Sequence, residues 1–146
     1  MAISQAICNS FKQQLFQALH DFNNPGGDTF YLALYTSAAS IDASTTTYVT
    51  TGEVSSSGTN YPAGGSALTS ISPALSGSTA ILDFNDLTFP SVTLTARGCL
   101  IYNTTTTPSN ASVAVFDFGS DKTATDGDFT IIFPAPTAST AVIRLT

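Results

Sequence analysis

The sequence predicts a mostly β protein: an antiparallel β-sandwich, jelly-roll-like, carrying one N-terminal α-helix. Three observations predict it. After residue 28 the apolar side chains either alternate with a period of two or gather in short runs rich in β-branched and aromatic residues, bounded by turn residues. No helical pattern separates these runs, and parallel strands would need crossover helices. The length of 146 residues fits a single domain, 1–146, able to bury about 70% of the surface its unfolded chain exposes.

The helix is expected over residues 4–22, with Ser4 as its N-cap. Ile7, Phe11, Leu15, Leu19 and Phe22 recur at close to helical spacing, and Gln13, Gln14 and Gln17 take the other side. "NNPGG", residues 23–27, should end it, because Asn and Gly accept the left-handed conformation and Pro25 cannot continue the ladder.

The β-sandwich is expected over 29–146. "TFYLALYTS" from Thr29 is the first strand, with Phe30, Leu32 and Leu34 on one face and Tyr31, Ala33 and Tyr35 on the other. "STAILDFNDLTF", "VTLTARGCLIYN", "ASVAVFDFG", "DFTIIFP" and "TAVIRLT" read as the strands that follow. Between two of them, "GSDKTATDGDF" is crowded with Asp, Gly and Thr and reads as a hairpin turn.

The stretch from 37 to 67 is different. It is longer than the connections of a compact domain, so it is expected to be functional. Tyr48, Val49, Val54 and Tyr61 argue against disorder, and "TTYVTTGEV" alternates weakly, in the manner of an edge strand. The reading is an extended arm, partly strand-like, that orders against a neighbouring subunit. Its candidate interface residues are Tyr48, Val49, Glu53, Val54 and Tyr61, joined by Arg97, the one charge inside a strong apolar run. Arg97 fits either a paired core arginine or an interface anchor, with Asp83 and Asp117 as its best partners.

Composition narrows the function classes. Charged residues are only 10% of the chain, against about 25% in ordinary globular domains, so Ser, Thr, Asn, Gly and Ala must cover much of the surface. Four Lys plus Arg stand against ten Asp plus Glu, for a net charge of -6, which leaves no basic face for nucleic acid. No apolar run has the length of a membrane span, and the N-terminus lacks the basic and apolar regions of a signal peptide, so a soluble, non-secreted chain is expected. Cys8 and Cys99 have neither metal spacing nor a disulfide framework and read as buried thiols. The sequons at Asn103 and Asn110 would matter only in a secretory pathway.

Catalytic chemistry is not expected. The single His20, placed in the last turn of the predicted helix, fits dipole complementation better than general base catalysis. Asp83 and Asp86 are carboxylates, as a glycosidase requires, but three positions apart on a strand or turn they face different directions and read as solvated strand-end groups. Asp121, Asp126 and Asp128 lie close together, yet Asp126 stands where a calcium loop needs glycine, so no metal and no cofactor is assigned.

"FYLALYTS", "YVTTGEVSSSGTNYPAGG", "ARGCLIYN", "VAVFDFGSDKTATDGDFTIIFP" and "AVIRLT", in that order from Phe30 to the end, resemble small virion structural proteins of tailed bacteriophages, including head cement, or decoration, proteins. The resemblance implies a jelly-roll or related β-sandwich that coats a capsid from outside and bridges capsomers without catalysis or cofactor. Its partners would be the major capsid protein and itself, as a homodimer or homotrimer, and its location the virion after assembly in the host cytoplasm. Tail and head-tail components resemble these proteins too. A tail-fibre glycan-binding module is the rival reading, for which Tyr31, Tyr35, Tyr48, Tyr61 and Tyr102 would supply stacking surfaces.

Overall fold

A computed structural model describes residues 2–106 and 108–146. Strand accounts for 47% of the chain and helix for 6%, and the named strand pairs are all antiparallel. The elements are β1 (Ala6–Ile7), α1 (Asn9–Phe16), β2 (Phe30–Tyr35), β3 (Ser66–Ala67), β4 (Ser70–Ser76), β5 (Thr79–Phe84), β6 (Leu87–Asn103), β7 (Ala111–Ile131) and β8 (Ile143–Leu145). They form two sheets, ordered β1-β7-β6-β2-β3 and β4-β5-β8, in a sandwich-like arrangement.

The core lies where the first face of β2 meets the second sheet. Phe30 of β2 stacks on Phe22 with ring centroids 4.2 Å apart, and Phe84 of β5 meets both rings at 6.0 to 6.2 Å. Phe11 of α1 reaches Phe22 edge-on at 6.0 Å, so the helix packs into the same aromatic cluster. β2 is buried on both faces, as a doubly covered strand must be, and its alternating sets Phe30/Leu32/Leu34 and Tyr31/Ala33/Tyr35 face different layers.

The helix is much shorter than its apolar spacing predicts. Residues 4–7 are taken by a sheet edge instead: Ser4 donates its amide to the Ile41 carbonyl, and Ala6 and Ile7 pair with Val115 and Ala114 of β7. Cys8, not Ser4, is the N-cap, and its side chain makes no capping bond. At the other end Ala18 adopts φ 56°, and the amides of Ala18 and Leu19 bond to the carbonyls of Leu15 and Gln14. That is the Schellman pattern with alanine in the position glycine usually takes, so the helix stops well before "NNPGG". His20 and Phe22 therefore stand outside it.

The expected turn "GSDKTATDGDF" is not a turn. It is the middle of β7, which runs 21 residues and pairs with the 17-residue β6 through several bulges. Near Asn103 the two strands are flanked by β2 and β1; their far halves, Leu87–Ala96 and Lys122–Ile131, continue as a two-stranded ribbon. Hydroxyl pairs Thr88–Thr130 and Thr95–Thr123, each 2.9 Å apart, mark its exposed side, while Phe89, Val92, Leu94 and Phe129 are buried. "DFTIIFP" is accordingly the end of β7 and the segment after it, not a separate strand.

Candidate functional site

The segment from 37 to 65 is a strap across the second face of the large sheet. At one end Thr47 bridges Ala111, and Tyr48 donates its amide to the Asn110 carbonyl. At the other, Glu53 bridges Tyr35, and Val54 donates its amide to the Leu34 carbonyl at the open edge of β2. The edge-strand pattern of "TTYVTTGEV" is thus realised over Glu53–Val54. Between these anchors the strap covers the tyrosine face of the sheet, where Tyr48 stacks on Tyr102 at 4.8 Å.

Glu53 organises the strap. Its Oε2 accepts the Tyr48 hydroxyl at 2.6 Å, and its Oε1 accepts both the Tyr61 hydroxyl at 2.9 Å and the Gly64 amide at 2.7 Å. The Tyr61 oxygen in turn accepts the Leu34 amide at 2.9 Å, which ties the carboxylate to the body through one ring. Tyr102 donates to the Gly64 carbonyl and Tyr35 to the Val49 carbonyl, each at 2.6 Å. Gly65 closes the return to β3 at φ +82°, so near the chain of β2 that a Cβ would overlap the Leu32 carbonyl oxygen.

These hydroxyls are held as donors. Burial, reinforced by the Glu53 carboxylate, pushes the Tyr35, Tyr48 and Tyr61 phenols well above the ordinary value, and Tyr102 to about 12. Neutral phenols at neutral pH neither attack nor exchange protons readily; here they fasten the strap.

The structure corrects the expectation of a free arm. Val54 and Tyr61 are core side chains of their own chain, and Tyr61 packs on Phe89 at 5.4 Å. Tyr48, Val49 and Glu53 are half-buried within the strap. What the segment leaves outside is hydroxyl-rich: Thr46, Thr47, Thr50, Thr51 and Ser55 to Ser57 are exposed. Arg97 stands apart from this group, half-exposed, with Nε 3.2 Å from Asp117 Oδ1 and Nη1 3.9 Å from Asp121 Oδ1. Of the two expected partners it takes Asp117. That carboxyl lies below the usual range, first because it accepts the Gly119 amide and second because of Arg97.

The remaining candidates separate. Asp121 turns to Arg97 while Asp128 Oδ1 accepts the Ser91 amide, so the acidic residues of β7 do not converge; no group of three potential metal ligands occurs among the described residues. Asp86 is exposed and accepts the Phe133 amide, but Asp83 is only 1% exposed, which corrects its reading as a solvated group. Its Oδ1 accepts the Phe84 amide, its Oδ2 makes no hydrogen bond among the described residues, and burial raises its pKa against the opposing pull of the Phe84 and Val142 amides. Cys8 and Cys99 are buried thiols raised by desolvation, Cys99 to about 12.

Apolar surface missed by sequence pattern appears instead. Phe16 of α1 is 97% exposed, and Leu75, Ile132 and Leu145 are 62 to 77% exposed. Leu75 and Leu145 flank Ala80 in register across the small sheet, beside an apolar cleft of about 150 Å³ whose walls include Leu15, Pro73 and Ile143. A second groove, of about 440 Å³, runs along the ribbon past Phe118, Lys122 and Ile132. No protein-family model, curated protein or solved structure matches the chain.

Proposed function

We propose that this chain is a virion structural protein of the cement, or decoration, type, which binds the outer surface of a capsid shell and bridges its capsomers. The observation that carries the reading is the strip Leu75–Ala80–Leu145 with its neighbouring cleft, apolar surface that continues outward from the core residues Phe11, Phe22, Leu82 and Ile143. Contiguous exposed apolar surface of this kind marks sites covered by other protein. A charge-poor, hydroxyl-rich exterior is compatible with close contact to a protein lattice, because fewer ionised groups need to be desolvated. The ordered segments that resemble phage decoration proteins supply the particular partner, and the strap is already ordered against its own sheet, which reduces the ordering cost of each contact.

Repetition would supply the strength. On a symmetric shell many modest contacts add through avidity, more so if the subunits also pair with themselves. Quantitative mass spectrometry of purified particles from the source of this chain tests the proposal. Abundance comparable to the major shell protein supports a cement role; a few copies per particle would reassign the chain to the tail or head-tail junction, and absence from particles would overturn the reading.

A further inference from the structure

His20 sits in a cluster of groups that fixes its protons. Nε2 lies 2.8 Å from Gln14 Oε1, and Nδ1 lies 3.0 Å from Asn103 Nδ2. Asn103 is fully buried and cannot be turned around. Its Oδ1 accepts the amides of Thr105 and Thr106, and its Nδ2 also donates to Asp28 Oδ2 at 2.7 Å. One Nδ2 hydrogen goes to Asp28 and the other points at the imidazole, so Nδ1 must carry a lone pair. The ring is then neutral, with its proton on Nε2 and donated to Gln14.

The cluster joins distant parts of the chain. Gln14 is on α1, His20 and Asp28 lie in the connection from α1 to β2, and Asn103 ends β6. Around the half-buried imidazole stand Phe11 at 4.9 Å, Phe22 at 6.2 Å and Phe30 at 6.3 Å. The charged groups near it are Asp28, on the Asn103 amide, and Asp21, whose own amide donates to Asp28 Oδ2. α1 faces the ring with Gln14 and Phe11, β2 with Phe30 and β6 with Asn103, none of them titratable.

We propose that His20 is an acid-sensitive latch: a proton on Nδ1 sets two donors against each other at Asn103 and releases the connection 17–29 from the end of the large sheet. The imidazolium cannot keep the Asn103 bond, and Asn103 cannot rotate without abandoning two backbone amides and the Asp28 carboxylate. The surrounding Phe11, Phe22 and Phe30 rings take part of the imidazole out of water, which disfavours the charge. Burial is the larger influence on the ring and disfavours its charged form, while Asp28 works in the opposite direction. A histidine depressed in this way loses stability as pH falls from its unfolded value, about 6.5, through its folded value. Release takes Phe22 away from Phe30 and Phe84, whereas the β6–β7 ladder beyond Asn103 has no part in the cluster and stays closed.

Two measurements on the full chain test the latch. Long-range proton–nitrogen correlation spectra across pH 8 to 4 should show the Nε2–H tautomer and a His20 titration below the ordinary histidine value. Amide exchange in 17–29 should accelerate about tenfold per pH unit, after correction for intrinsic exchange, between the ordinary value and the His20 midpoint. Amides of the β6–β7 ladder should not follow. In His20→Gln the pH-dependent acceleration should vanish. An Nδ1–H tautomer, a titration at or above the ordinary value, or exchange in 17–29 indifferent to the His20 titration would each overturn the proposal.

Discussion

If the strap is part of the core, Tyr61 is the residue whose loss should be felt most. Its side chain is 2% exposed, packs on Phe89, accepts the Leu34 amide and donates to Glu53. Tyr61→Phe keeps the ring but leaves the Leu34 amide without its acceptor and Glu53 short of one donor. An orphaned buried group costs about 1–3 kcal/mol, which sets the expected loss. Tyr61→Ala removes the ring as well, and truncation of a buried aromatic costs about 3–5 kcal/mol before the hydroxyl is considered. Against the roughly 5–15 kcal/mol that holds a typical domain together, that is a large fraction. Guanidinium denaturation followed by far-ultraviolet circular dichroism reads both losses as a lowered midpoint at unchanged slope. Deletion of 42–62 should abolish the cooperative transition. If Tyr61→Ala cost less than about 1 kcal/mol, or the deletion melted as cooperatively as the parent, the segment would be a detachable arm and its ladder contacts incidental.

Asp83→Asn should raise stability at neutral pH, because it removes a buried charge that burial disfavours while leaving Oδ1 to accept the Phe84 amide. The raised folded pKa means that the wild type loses stability as pH rises from the acid side through that value, and thermal melts from pH 4 to 8 should show this slope in the parent and not in the variant. Gly65→Ala places a Cβ against the Leu32 carbonyl at a positive φ, so a loss of about 1–3 kcal/mol is expected in the same denaturation assay. Phe16→Glu and Leu145→Glu should shift stability by no more than about 0.5 kcal/mol. On the proposed function, Leu145→Glu should nevertheless weaken rebinding to shells stripped of this protein, measured by co-sedimentation; undiminished rebinding would remove the strip from the interface.

The fold class was legible because period-two patterning survives in β2, β5, β6 and β7, where one face or both must be apolar. β4, "SISPALS", escaped because Pro73 interrupts the strand signal; the structure tolerates it on a sheet edge, beside a register shift between Ile71 and Ala74. The helix was overdrawn because Ile7 and Phe22 serve sheet and core from outside it, and spacing alone does not distinguish an apolar residue on a helix from one beyond its end. The turn reading of "GSDKTATDGDF" differs for a related reason: Gly119, Asp121 and Asp126 fall at register shifts of the ladder, two of them at positive φ, and Lys122–Ala124 and Gly127 rejoin β6 around them, so the turn chemistry is spent on bulges. Of the strap, the pairing of Glu53 could be read from alternation, whereas its grip by Tyr48, Tyr61 and Gly64 depends on a chain reversal that no local signal announces. The His20 cluster was illegible for the same reason, since its decisive member, Asn103, lies at the far end of β6.

Pairing of β1 with β7 also orders events during synthesis. Ala6 and Ile7 leave the ribosome well before their partners Val115 and Ala114. At about 5–20 residues per second Ala6 and Ile7 wait roughly 5–20 s for these partners. β2 and the strap have their contacts to each other available much sooner. Ala6 and Ile7 are therefore made early and seated late, and a nascent chain halted before β7 could hold Glu53 and Val54 against β2 while the Thr47–Ala111 anchor of the strap and the β1 pairing were both still missing.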